Sequence, residues 1–205
     1  MIFVNYKTYE EGTGEKAVAL TKILEEVAHI SQIKIIPVVQ ITDAEMVVAS
    51  TSLEVWIQNF TDVFPDGISG VFLNHSDHKI TNFDDLYMAN EKAMNANLKT
   101  LIFAANVEEL KKVANLAPTY VAYEPPQLIG STTTSVAQAE PEIISQASEI
   151  ARSFGLPLVV GAGIHSMNDV KKSLELGAVG VAVATDIVKA ADPRKELLDL
   201  TAGFQ

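Results

Sequence analysis

Three side chains able to move protons or stabilise anions stand just past short apolar runs, and a polar amide closes one run. Asn5 ends the run Ile2–Asn5 and Lys7 follows it; His75 follows Gly70–Leu73; Glu124 follows Tyr120–Tyr123. Glu124 leads into Pro125-Pro126, which stiffen the chain as it enters residues 127–135, a stretch rich in glycine, serine and threonine and suited to act as a lid. A carboxylate partly desolvated under such a lid has a raised pKa and serves as a general base; an exposed rim glutamate is the competing interpretation. His75 draws its weight from position, since a lone rim histidine is commonly a hydrogen-bonding bystander. Lys7 brings a cation to the same set of strand ends, or is an ordinary solvated lysine.

A second group is suited to hold an anion. Gly161 and Gly163 flank Ala162 directly after the run Leu158–Val160, where glycines free backbone N–H groups to face a ligand. The next strand end, Ala184-Thr185, runs into a short helix whose N-terminus adds partial positive charge. A tight turn without a ligand also satisfies this pattern. It is no dinucleotide fingerprint, because position 166 is serine rather than a third glycine. No metal is expected: His75 and His78 find no third ligand at metal-binding spacing. The absence of cysteine excludes disulfides and thiolate chemistry, and no cofactor is called for.

The elements that must position these groups alternate. Apolar runs at Ile2–Asn5, 33–39, 55–57, Gly70–Leu73, 100–103, Tyr120–Tyr123, Leu158–Val160 and 179–183 have the continuous character of parallel strands buried on both faces. Helical spacing separates them: Ala17, Leu20, Leu24 and Val27 share one face, and Ile143, Ile144, Ala147, Ile150 and Ala151 another. Leu110, Val113 and Ala114 suggest a short helix, as do Val170 and Leu174. Asn82 and Pro141 signal helix starts and Gly155 a stop. Eight alternations in one domain, 1–205, favour a closed (β/α)8 barrel, although pattern alone also admits an open flavodoxin-like sheet. Between Gln58 and Gly70 there is too little chain for a crossover helix, so the β3–β4 connection is expected to be shortened.

The formal net charge of −11 weighs against nucleic acid and anionic membrane surfaces as partners. It also means that a phosphorylated substrate needs a concentrated local positive potential. No signal peptide or membrane-length apolar run is read, and a cytoplasmic location is expected.

Taken in order, Asn5-Tyr6-Lys7-Thr8-Tyr9, Leu73-Asn74-His75-Ser76, Ala122-Tyr123-Glu124-Pro125-Pro126, Ile129-Gly130 and Gly161-Ala162-Gly163-Ile164 resemble the triosephosphate isomerase family in its short archaeal-type form. The likeness continues through Leu176-Gly177-Ala178-Val179-Gly180-Val181 to Val188-Lys189-Ala190 and covers nearly the whole chain. It implies a small phosphorylated triose as substrate and no cofactor. Glu124 would shuttle a proton between two carbons, His75 would polarise the carbonyl as a neutral electrophile, Lys7 would stabilise the enediolate, and Asn5 would help fix the substrate. Gly130, Gly161, Gly163, Ala184 and Thr185 would bind its phosphate.

The chain departs from the family pattern at four places. Ser131-Thr132 follow Ile129-Gly130 where the family has Thr-Gly. Thr185-Asp186 replace Ser-Gly, which puts a carboxylate near the phosphate unless Asp186 caps its own helix. Asp77 replaces a glutamate. The long third loop that reaches into a partner subunit is missing, which implies a monomer or a non-standard homo-oligomer. Two alternatives remain: another phosphate-binding barrel isomerase or lyase, and a homologue that binds phosphometabolites without turnover.

Overall fold

Every residue of strand β1 (Ile2–Asn5) is buried, because one face packs on helices and the other fills the inside of a ring. The computed structural model of the chain describes residues 1–126 and 141–205. In it β1 is followed by β2 (Ile35–Val39), β3 (Trp56–Ile57), β4 (Gly70–Leu73), β5 (Lys99–Ala104), β6 (Tyr120–Tyr123), β7 (Leu158–Val160) and β8 (Gly180–Val183). All pair in parallel and in chain order, and β8 returns to β1 with Ile2 opposite both Ile35 and Val181. That last pairing excludes the open sheet and makes the fold a (β/α)8 barrel.

Burial hides the period of two, but packing partners reveal it. Ile2 and Val4 belong to the layer between strands and helices, whereas Phe3 lies inside with Val38, Trp56, Phe72, Leu101 and Phe103. Edge-to-face aromatic contacts fill this inner core, with ring centroids 5.1 Å apart for Phe3–Trp56 and 4.8 Å for Phe72–Phe103. Gly70 makes room for the indole: a Cβ there would stand 2.4 Å from the Trp56 ring.

The outer ring comprises α1 (Glu15–Ser31), α2 (Ala44–Val48), α3 (Phe83–Asn95), α4 (Val107–Ala114), α5 (Pro141–Ser153), α6 (Met167–Glu175), α7 (Thr185–Val188) and α8 (Pro193–Ala202). Their ends follow capping chemistry. Asn82, Asn106, Ser166 and Asp192 each accept a hydrogen bond from a first-turn amide through the side chain. Gly155, two residues past α5, takes the left-handed conformation that stops it. The β3–β4 connection, residues 58–69, contains no helix. It is tied down instead by the Phe60–Phe64 ring contact and by Lys92 of α3, which pairs with Asp62 at 2.9 Å and lies over the Phe60 ring.

Glu25 of α1 is bonded across to the chain leaving α2. It accepts from the Ser52 amide and hydroxyl, each at 2.7 Å, and from the Thr51 hydroxyl at 3.0 Å. Those bonds, led by the Ser52 amide, hold its carboxyl at about 2, below the ordinary 4.5. A depressed folded-state pKa gives stability that is present above the unfolded value and lost as pH falls through the folded one. Glu25→Gln should therefore unfold more easily in urea at pH 7, by about 1–2 kcal/mol. The gap between variant and parent should narrow as pH falls from 4.5 towards 2; a gap independent of pH would refute this.

Candidate active site

The C-terminal ends of the strands deliver the chemistry to one mouth. Inward-facing Phe3 and Ala122 place Asn5 and Glu124, two residues further along, on the inside as well. Strand β4 breaks this alternation. Phe72 faces inward, so Asn74 should too, but Asn74 has φ +60° and its side chain turns outward. Its amide donates to the Phe103 carbonyl at 2.8 Å and to Glu109 of α4 at 2.9 Å, and its oxygen accepts from the Ile80 amide. The twist gives the inward direction to His75. Burial would raise the Glu109 carboxyl pKa, but hydrogen bonds from Lys79, the Ala105 amide and Asn74 overcome this and hold it below its ordinary value. Glu109 thus stays an acceptor that anchors the β4 exit.

Asn5, Lys7, His75, Glu124, Gly161, Gly163, Ala184 and Thr185 all line one cavity of about 260 Å³. His75 Nε2 lies 3.2 Å from Glu124 Oε1, with both side chains buried. The Asp77 amide donates to His75 Nδ1 at 3.2 Å, so in the neutral ring the proton sits on Nε2, facing Glu124. Lys7 holds φ +50°, a strained conformation for a non-glycine residue. Asn5 Oδ1 accepts from its amide at 3.0 Å and Gln58 donates to its carbonyl at 3.3 Å. Its ammonium pairs with Asp77 at 2.9 Å. Burial would raise the Asp77 carboxyl pKa, but the hydrogen bond and charge of Lys7 outweigh this and hold it below its usual value. Asp77 therefore supports both Lys7, through its carboxylate, and His75, through its amide. The Asn5 Nδ2 atom is buried without a partner among the described residues, leaving an open donor in a residue that lines the cavity.

One sequence expectation needs correction, and one alternative left open is settled. The Gly161 amide is not available to an anion, because it donates to the Tyr123 carbonyl at 3.0 Å and extends the barrel ladder. A Cβ at Gly161 would stand 3.3 Å from the Phe103 ring and 3.4 Å from the Glu124 Cβ, a close fit beside the base. Asp186 does not cap α7, whose cap residue Ala184 is followed by no side-chain capping bond. Its carboxylate instead meets His165 Nδ1 at 2.9 Å. Gly163, with φ +62°, needs glycine for the turn. Thr185 and Asp186, in the first turn of α7, have amides without an intrahelical acceptor. Gly130 and the lid assigned to 127–135 lie outside the described residues.

Sequence reasoning passed over Tyr9, His165 and Gln58. Tyr9 lines the cavity and its hydroxyl meets Thr185 Oγ1 at 2.9 Å, joining the β1 and β8 exits. His165 had a legible signal, a titratable ring two residues past a strand-exit glycine; Gln58 had none. Among the described residues no cluster of three or more potential ligands could hold a metal ion, and no helix is long and apolar enough to cross a membrane.

The family model for triosephosphate isomerase matches residues 64–202, more than half of the chain. The chain belongs to the triosephosphate isomerase family. Triosephosphate isomerases of Methanocaldococcus jannaschii and Metallosphaera sedula are 32% and 35% identical to it. The first alignment covers 98% of both proteins, the second 99% of this chain and 95% of the relative. Among solved structures, an archaeal fructose 1,6-bisphosphate aldolase superposes with TM-score 0.66 at 14% identity, covering 97% of this chain and 91% of that one. An N-acetylmannosamine-6-phosphate 2-epimerase from Clostridium perfringens gives 0.66 at 13%, covering 91% and 86%. At such identities these two likenesses concern the barrel alone, while the triosephosphate isomerase relatives span the site as well.

Proposed function

We propose that the chain interconverts dihydroxyacetone phosphate and D-glyceraldehyde 3-phosphate. The observation that carries this reading is the convergence of Lys7, the Nε2 side of His75 and the Glu124 carboxylate on one cavity. Glu124 removes a proton from the carbon beside the carbonyl, and the bonding pair moves to make an enediolate. His75 Nε2–H and the Lys7 ammonium stabilise the charge that builds on the first oxygen. That oxygen takes a proton from His75 Nε2, which is replaced by the hydroxyl proton of the second oxygen. Glu124 returns its proton to the neighbouring carbon as the second oxygen becomes the new carbonyl. Asn5 offers its open amide to a substrate oxygen. The phosphate lies against the Gly163 turn and the first-turn amides of α7. Every step uses side chains and backbone already in the cavity, and the chain acts in the cytoplasm.

The test is isomerase kinetics with coupled assays in both directions on the purified chain. Turnover in both directions supports the proposal. Tight binding of a phosphate-bearing inhibitor without turnover favours the second reading, a homologue that binds phosphometabolites; Asp186 in the cavity is the observation that motivates it.

The helix-free connection between β3 and β4 also bears on assembly, since it leaves no long loop to enter a partner. We expect a monomer, or an association through another face. Light scattering checks the mass, and a dimer that persists after residues 58–69 are replaced by a short glycine-serine linker would locate its interface elsewhere.

A further inference from the structure

Asp186 brings a negative charge to the end of the cavity where the proposed phosphate seat lies, between Gly163 and Thr185. Left free, it would repel a phosphomonoester dianion. It is not free: His165, which lines the same cavity, stands with Nδ1 2.9 Å from Asp186 Oδ2. A ring nitrogen that close to a carboxylate oxygen carries the proton, so Nδ1–H donates to Asp186. The loop bearing the ring is itself fixed, because the His165 amide and the Ser166 hydroxyl both donate to Asp169 Oδ2, at 3.2 and 2.8 Å. The Tyr9 hydroxyl, in the same cavity, meets Thr185 Oγ1. His165 Nε2 is buried without a partner among the described residues, so the ring's one hydrogen bond recorded there is the one to Asp186.

We propose that His165 sets phosphate affinity by binding Asp186 through Nδ1–H, which fixes that carboxylate's direction and offsets its charge at the seat. His165 is a positioning residue that acts through Asp186. The assignment rests on the phosphate seat proposed above, and it makes the two positions one unit: an acid is tolerated at 186 because a histidine stands at 165.

The test is a double-mutant cycle read by inorganic phosphate as a competitive inhibitor, with KM and kcat measured alongside. His165→Ala should weaken phosphate binding and raise KM about tenfold while kcat changes little. Asp186→Asn alone should tighten phosphate binding, and His165→Ala/Asp186→Asn should recover at least the parental affinity. A merely structural role for His165 would lower kcat and KM performance together and would not be rescued by removing the acid. Parental affinity in His165→Ala, or no rescue in the double variant, would overturn the assignment. A parent that isomerises but shows no inhibition by phosphate sinks the seat and this assignment with it, while leaving the catalytic reading in place. A parent with neither property sinks both readings.

Discussion

Glu124→Gln is expected to fold normally and to lose about 10⁴-fold in kcat, with KM changed by no more than a few-fold. Glutamine keeps the shape of a buried side chain and removes only its capacity to take a proton. The backbone that places it is independent of that charge, because the Glu124 amide donates to the Ala104 carbonyl and continues the β5–β6 ladder. The His75 ring 3.2 Å away, packed edge-on against Phe103, keeps its position. Glu124→Asp separates presence of a base from its placement. It draws the carboxylate back by one methylene, and a shift on that scale is expected to cost about 10²-fold. Turnover in Glu124→Gln within tenfold of the parent would show that the proton is carried elsewhere.

Lys7→Met should lower kcat/KM by about 10²–10³-fold, the usual cost of removing a preorganised positive group facing developing negative charge. The effect is large because Lys7 is held from three directions: Asn5 and Gln58 on its backbone and Asp77 on its ammonium. The protein tolerates a left-handed backbone at this residue, a conformation that costs of order 1–3 kcal/mol outside glycine. Lys7→Gly removes that strain together with the charge. Comparable activity losses in Lys7→Met and Lys7→Gly, measured with the same coupled assay, would assign the effect to the ammonium. Full activity in either would remove Lys7 from the mechanism.

The acidic surface gives this lysine a further significance. With a formal net charge of −11, long-range attraction cannot gather an anionic substrate, so the positive potential has to be local. In the proposed reading, Lys7, the first-turn amides of α7 and the His165–Asp186 bond are the parts of the cavity that bear on it. In family terms, Thr185-Asp186 is a departure in sequence whose consequence depends on a residue twenty-one positions away in the chain.

The parallel strands and the polar side chains at their ends were legible in the sequence for one physical reason. Strands buried on both faces must be apolar throughout, so the first polar residue past each run marks a strand end, and strand ends of one sense open on one mouth. That logic reached Asn5, Lys7, His75 and Glu124 without coordinates. It failed where the backbone leaves the regular period. Asn74, with its left-handed φ, turns its own side chain towards Glu109 and exchanges inward places with His75, which strict alternation would have directed outward. The short α2 gave no clear periodic signal, since five residues are too few to show one.

The sequence by itself determined the alternation of strands and helices, the order of the elements and the polar groups at the strand ends, because each depends on near neighbours in the chain. Closure of the ring came from β8 pairing with β1. The tertiary structure decided which hydrogen-bonding group is already engaged. The Gly161 amide belongs to the ladder with Tyr123, Asp77 serves Lys7 and His75 together, and Asp186 answers to His165 rather than to its own helix. Such pairings are settled by distances across the closed ring, where residues remote in sequence compete for the same donor or acceptor, and no local pattern records the outcome.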